Sequence, residues 1–165
     1  IDFSSDDVLA GMHFQHAIEH KAFLESKTKA SGRELPSITL KEFLDKKMNN
    51  NALPKTSSPS GLVKSNLENI LPNFVIKHLE SALYKFNDQM KGFVTDKAIL
   101  IAPETRTSAP VTILRDKETL ESSSHQGLYP CGEGAGHAGG ITSAAVDGVK
   151  VAMSIIKKEK GLTNE

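Results

Sequence analysis

The stretch most able to do chemistry is GLYPCGEGAGHAGG at residues 127–140, and ITSAAVDGVKVA follows it directly. Glycine lets the backbone approach a ligand closely and adopt positive φ angles. The first turn of a helix offers unpaired N–H groups and a partial positive charge. A glycine-rich turn that opens a helix therefore favours a flat, partly anionic ligand held along Gly132–Gly140. A purely structural tight turn is the alternative.

The spacing of the glycines argues against two common nucleotide motifs. Gly134, Gly136 and Gly139 match the letters of GxGxxG, but no second βαβ unit accompanies them, and a ribose-binding acid about 20 residues on would fall beyond residue 155 in a charged tail. No Gly-Lys-Ser/Thr ends the turn, so it is not a P-loop. A small acyl- or phosphate-containing ligand at the same helix N-terminus stays compatible with the composition.

Residues 1–97 are predicted to be mainly helical, with an exposed loop at 49–61 that is rich in Asn, Ser and Pro. Apolar spacing and start signals indicate three helices there: Gln15–Ser26, a segment opened by a Thr39/Glu42 capping box, and a long one from Pro72 to the stop at Gly92.

Residues 98–165 have a different texture, in which short apolar runs alternate with polar loops. Three strands are predicted, within 97–103, 111–116 and 127–131, and a helix with an apolar stripe begins at Ile141. The chain is thus predicted to be α/β in class, or α+β as an isolated fragment. Three strands are too few for a doubly wound sheet, which favours a piece of a larger protein.

The composition bounds the partners and the compartment. The chain has 165 residues with 20 basic and 20 acidic side chains, so no net field draws it to nucleic acid or to a membrane surface. The single Cys131 fits a reducing compartment, and we expect a buried, inert thiol and a cytoplasmic location, with an organelle as the alternative. His13, His16 and His20 share a helical face, which we interpret as an ordinary polar face and not as a metal site.

Two segments resemble a known family closely, and GMHFQHAIEHKAFLES, KEFL and LPNFVIKHLESALYKF earlier in the chain resemble it more loosely. GLYPCGEGAGHAGGITSAAVDG, preceded by ETRTSAPVTILRD at Glu104–Asp116, is similar to the uncharacterised FAD-dependent dehydrogenase, or NAD(FAD)-utilising dehydrogenase, family. The resemblance implies the C-terminal part of an FAD-dependent oxidoreductase. Residues 98–165 would be the C-terminal strands and helix of a Rossmann-like FAD-binding domain, and residues 1–97 a substrate-side inserted region.

The same resemblance implies roles for single residues. Glu133, after Gly132, would hold a ribityl hydroxyl of FAD, and the start of the helix would face the pyrimidine side of the flavin. Arg106 would lie near the flavin or the substrate, and a structural ion pair with Glu104 or Asp116 is the alternative for this side chain. The implied cofactor-binding set is Gly132, Glu133, Gly134, Gly136, Gly139, Gly140 and Ile141.

The longer parent is expected to use FAD, with NAD(P)H as an electron donor and an unidentified small molecule as substrate. The fragment by itself is expected to be inactive, because half of the flavin site would be absent. The rival interpretation is a non-enzymatic interaction module whose glycine turn is only structural.

Overall fold

The computed structural model describes residues 6–106 and 108–161. The chain divides into two compact units, of which one comprises His16–Glu104 and is called here the sheet unit. The described residues before and after it in the sequence, 6–15, 105–106 and 108–161, form the glycine-turn unit. The predicted division of roles at residues 97/98 concerns function and stays a prediction.

The long helices follow the predicted periodicity. Helix α1 spans Ala10–Lys29 and so extends the predicted segment at both ends, with Lys27 and Lys29 near its negative end. Helix α3 spans Asn73–Gln89. Pro72 is the residue just before α3 and not its first helical residue, a difference of one position.

A three-stranded sheet forms the centre of the sheet unit. Strands β1 (Leu35–Thr39), β2 (Leu62–Lys64) and β3 (Ile99–Ile101) lie in the order β2-β1-β3. β1 runs parallel to β2 and antiparallel to β3. Pro36 has no N–H to donate, and it lies just outside the pairing with β3, which involves the three residues after it. Its carbonyl still takes part by accepting from Ala102 N at 3.1 Å.

Of these strands, β3 lies within the predicted run at 97–103, whereas β1 and β2 were not predicted. They are five and three residues long, and LPSIT contains a proline and a serine. Short strands of this kind are stable only through partners distant in the chain, so local spacing carries no signal for them. The resulting α+β arrangement is the class predicted for an isolated fragment.

The capping box at the end of β1 is confirmed and organises the sheet unit. Thr39 Oγ1 accepts from Glu42 N at 3.3 Å, and helix α2 runs from Leu40 to Asp45. Glu42 is buried, and its carboxylate also receives Lys64 Nζ of β2 at 2.6 Å and Asn49 N at 2.8 Å. One carboxylate thereby joins the strand end, the neighbouring strand and the start of the 49–61 loop. Around this network packs an apolar core: Ile18, Ala22, Ile38, Leu40, Phe43, Val63, Leu67, Ile70, Ile76 and Leu83.

In the glycine-turn unit, helix α4 (Ile141–Glu159) is confirmed, but the strands predicted at 111–116 and 127–131 are wrong. Between described residues 108 and 140 the structure has only an isolated bridge, Arg115 to Ser122. A strand needs a neighbour for its backbone groups. Here those groups bond within the loop, as Asp116 N does to Glu121 O at 2.8 Å.

Replacing Glu42 with Gln tests the buried network. Burial acts to raise the pKa of Glu42, but hydrogen bonds from Lys64, Asn49 and Thr39 outweigh it and lower the pKa to about 2. The folded pKa lies below the unfolded one, so this stabilisation is present above about pH 5 and is lost as the pH falls towards 2. We expect E42Q to cost roughly 1–3 kcal/mol in urea unfolding at pH 7.

Between pH 5 and 2, the free energy of unfolding should fall less steeply with decreasing pH in E42Q than in the wild type. The matched control is D45N, because Asp45 lies on the same short helix with an exposed side chain. Equal stability and an equal pH slope in E42Q and D45N would contradict this account.

Candidate functional site

The glycine turn is a tightly bent backbone with two glycines at positive φ. Gly132 has φ 71° and Gly136 has φ 78°. Gly136 N donates to Glu133 O at 2.9 Å, and His137 N donates to Gly132 O at 3.0 Å. The turn is therefore closed by its own backbone, and positive φ at these two positions favours glycine.

Residues 111–116, which the sequence predicts as a strand, pack directly against this turn. Ile113 N donates to Ala135 O at 3.0 Å, and the His137 ring Nε2 lies 3.0 Å from Ile113 O. A Cβ added to Gly136 would collide with Val111 O. The absence of a side chain at Gly136 thus allows two backbones to touch.

An ion pair connects the turn to α4. Asp147 on α4 receives both guanidinium nitrogens of Arg115, at 3.0 and 2.7 Å, and also Gly132 N at 2.9 Å. Arg115 in turn donates to Pro130 O at 2.7 Å. Both side chains are only 12% exposed. The fork of Arg115 and the carboxylate of Asp147 thereby hold the first glycine of the turn against the helix.

The same contacts set the acidity of Asp147. The hydrogen bonds from Arg115, followed by that from Gly132, outweigh the desolvation and lower the pKa of Asp147 from 3.8 to about 2. The carboxylate is therefore ionised throughout the neutral range, which the bidentate pair requires.

The far end of the turn is open. Gly139 and Gly140 are exposed, and Ile141, the first residue of α4, is 94% exposed. Gly140 is the residue before the helix and offers no side-chain cap. Its N–H and carbonyl instead bond to Ser143 Oγ at 3.2 and 3.0 Å. The structure thus brings Gly132 to Ile141 into one surface with a helix N-terminus at its open end.

Glu133 is half-buried within this turn. Its carbonyl accepts from Gly136, but its carboxylate has no hydrogen-bond partner among the residues that the structure describes. A carboxylate that merely capped the turn would receive a backbone N–H, so the structural alternative for this side chain is not observed. Its ribityl role stays a prediction.

Arg106 lies in the same unit, in the irregular segment after β3, with an exposed side chain. Its predicted role near flavin or substrate stays a prediction. Asp116, once considered as its ion-pair partner, accepts hydrogen bonds from Glu118 N and Thr119 N in its own turn, at 2.9 and 2.7 Å.

Sequence reasoning missed Arg115 and Asp147, although they hold the turn in place. The available signal was weak. Asp147 is the one acidic residue in the first eighteen positions of α4, and it lies on the face opposite the apolar stripe. In the sequence that face looks like the solvent side of the helix, so a buried ion pair was not indicated, and the sequence does not say which of the chain's 20 basic residues pairs with Asp147.

Cys131 is exposed, so the expectation of a buried thiol is wrong. The neighbouring Pro130 is buried and its carbonyl receives Arg115, which leaves the next side chain on the outer surface. Among the described helices none is both long and apolar enough to cross a membrane. The predicted cytoplasmic location stays a prediction.

The comparisons with known proteins support an FAD-dependent family, and the residues that the family model matches end before the glycine turn. Residues 1–107 match the family described as FAD-dependent protein, C-terminal domain-like. An uncharacterised protein of Clostridium beijerinckii is 40% identical over 160 residues, which cover 95% of this chain and 29% of that protein. The chain belongs to this family of FAD-dependent protein C-terminal domains. It spans less than a third of the length of the curated relative it matches.

The first prediction from this geometry concerns Gly136. We expect G136A to destabilise the chain by more than about 1 kcal/mol, because the new Cβ meets Val111 O and φ is positive. G134A is the matched control, since nothing lies within 4 Å of its added Cβ. Urea unfolding of both variants checks this, and equal stabilities would contradict the close contact.

The second prediction concerns the ion pair. We expect D147N to lower the free energy of unfolding by about 1–3 kcal/mol at pH 7, because it leaves the Arg115 guanidinium largely buried and unpaired. The wild-type loss of stability between about pH 5 and 2 should shrink in D147N, since the depressed pKa is removed. E118Q, which removes an exposed charge in the same unit, is the control. A D147N variant as stable as E118Q would exclude a stabilising role for the Arg115–Asp147 ion pair.

Proposed function

We propose that this chain is the C-terminal part of an FAD-dependent oxidoreductase and supplies one wall of its flavin site. The observation that supports this most is the open end of the turn. Gly139, Gly140 and Ile141 are presented to solvent at a helix start by a backbone that is held at its other end. In a chain of an FAD-dependent family, the flavin is the ligand that such a surface suits best.

FAD, when bound, supplies the redox chemistry, and no side chain of this chain is needed as nucleophile or as proton carrier. The residues here bind and orient. The N-terminus of α4 favours negative charge on the pyrimidine side of the ring. Glu133 offers a carboxylate acceptor for a ribityl hydroxyl, and Gly139 and Gly140 leave room for the ring to approach. A nicotinamide donor and a small-molecule substrate are part of the proposal.

The proposal is tested by visible absorption of a longer polypeptide. The C. beijerinckii protein, and a chimaera in which this chain replaces the matching segment, are purified and titrated with FAD. Both are expected to show flavin bands. In the chimaera, E133Q should weaken FAD binding by about ten-fold, the cost of losing a charged hydrogen-bond acceptor. G139V should weaken it at least as much by filling the space for the ring.

The controls separate binding from folding. The Glu133 carboxylate has no partner in the described chain, and nothing lies within 4 Å of a Cβ at Gly139. Urea unfolding of the apo forms of both variants should therefore stay close to wild type. G148A, a change in the middle of α4, should leave FAD binding unchanged. Colourless proteins that take up no added FAD would overturn the proposal.

A further inference from the structure

Helix α4 carries an apolar face that the described chain leaves uncovered. Its side chains recur at steps of three and four, and the larger ones are strongly exposed: Ile141 94%, Val149 60%, Met153 56% and Ile156 51%. Exposed Ala145 and Ala152 lie between them. This set is called here the outer face. It begins at the residue that ends the glycine turn.

The opposite face of α4 is the one that packs. Asp147 and Val151 are buried there. Ser154 Oγ donates to Thr119 O at 2.6 Å, and Lys158 Nζ lies 2.7 Å from Glu121 Oε2. Because these contacts fix the rotation of the helix within its unit, the outer face points away from the rest of that unit. A continuous apolar stripe in that position marks a surface that another element covers.

The size of the outer face indicates what covers it. A helix of 19 residues is about 28 Å long, so one face offers roughly 300 Å². A stable contact between separate molecules needs about 800 Å² per partner. The face by itself is too small for a second copy. The outer face suits a segment of the same polypeptide, because a contact within one chain avoids the entropy cost of bringing two separate molecules together.

We propose that the outer face of α4 is an intramolecular interface, covered by an apolar surface in the remaining part of a longer polypeptide. The similarity to the C. beijerinckii protein supports this, because the matched segment is only 29% of that protein and the rest is long enough to supply such a surface. The inference rests on the proposed function for the identity of the covering part, the flavin-binding remainder. That part would then lie beside the open end of the turn, where the outer face begins.

Cysteine labelling tests the covering directly. In a C131S background, which removes the exposed native thiol, V149C lies on the outer face and K150C on the neighbouring polar surface. Both should react rapidly with a maleimide in the 165-residue chain. In the chimaera with the C. beijerinckii protein, V149C should react at least about tenfold more slowly while K150C keeps its rate.

Equal rates for V149C and K150C in the chimaera would overturn the inference. Protection of V149C that grows with protein concentration would also overturn it, because the cover would then be a second copy. Labelling is done without FAD, so that a failure of flavin binding is read separately by absorption. If the chimaera is insoluble, the position that aligns with Val149 in the C. beijerinckii protein itself is labelled instead, with the same two readings.

Discussion

The carboxylate of Asp147 is the point on which the glycine-turn unit depends. It gathers the fork of Arg115 and the N–H of Gly132, so that a loop segment, a turn and a helix meet at one anion. The loop from 108 to 131 has no ladder of strand hydrogen bonds to hold it. A charge-assisted, largely buried bidentate pair is then the strongest local restraint available. The open end of the turn owes its fixed position to this distant contact.

The sheet unit is organised by the same device. Glu42 collects Thr39, Lys64 and Asn49 around one buried carboxylate, which links strand, helix and loop at one point. In both cases the hydrogen bonds that the carboxylate accepts outweigh the cost of burial, so the acid stays ionised and its pKa falls to about 2. Such carboxylates serve architecture. Glu133 differs from both, because its carboxylate has no hydrogen-bond partner among the described residues.

Local pattern sufficed for the helices and their caps. Thr39 and Glu42 specify a capping box from four residues, and the apolar stripes of α3 and α4 specify helices, because the causes lie within a few residues of each other. The glycine turn was equally visible, since positive φ at Gly132 and Gly136 is a local demand. The strand predictions were wrong in two ways, since some predicted strands did not form and unpredicted ones did. VTILRD alternates but forms only an isolated bridge, whereas LPSIT does not look like a strand and becomes the central one.

The sequence by itself determined the helices, the glycine turn, the class of the chain and, through resemblance, the expected cofactor. Tertiary structure decided which segments pair as strands, that Arg115 meets Asp147, and that the apolar face of α4 points away from its own unit. The physical reason is the range of the interactions. Helical hydrogen bonds and turn conformations are settled within about four residues. Ladder bonds, ion pairs 32 residues apart and the rotation of a helix on its support depend on which distant groups arrive together.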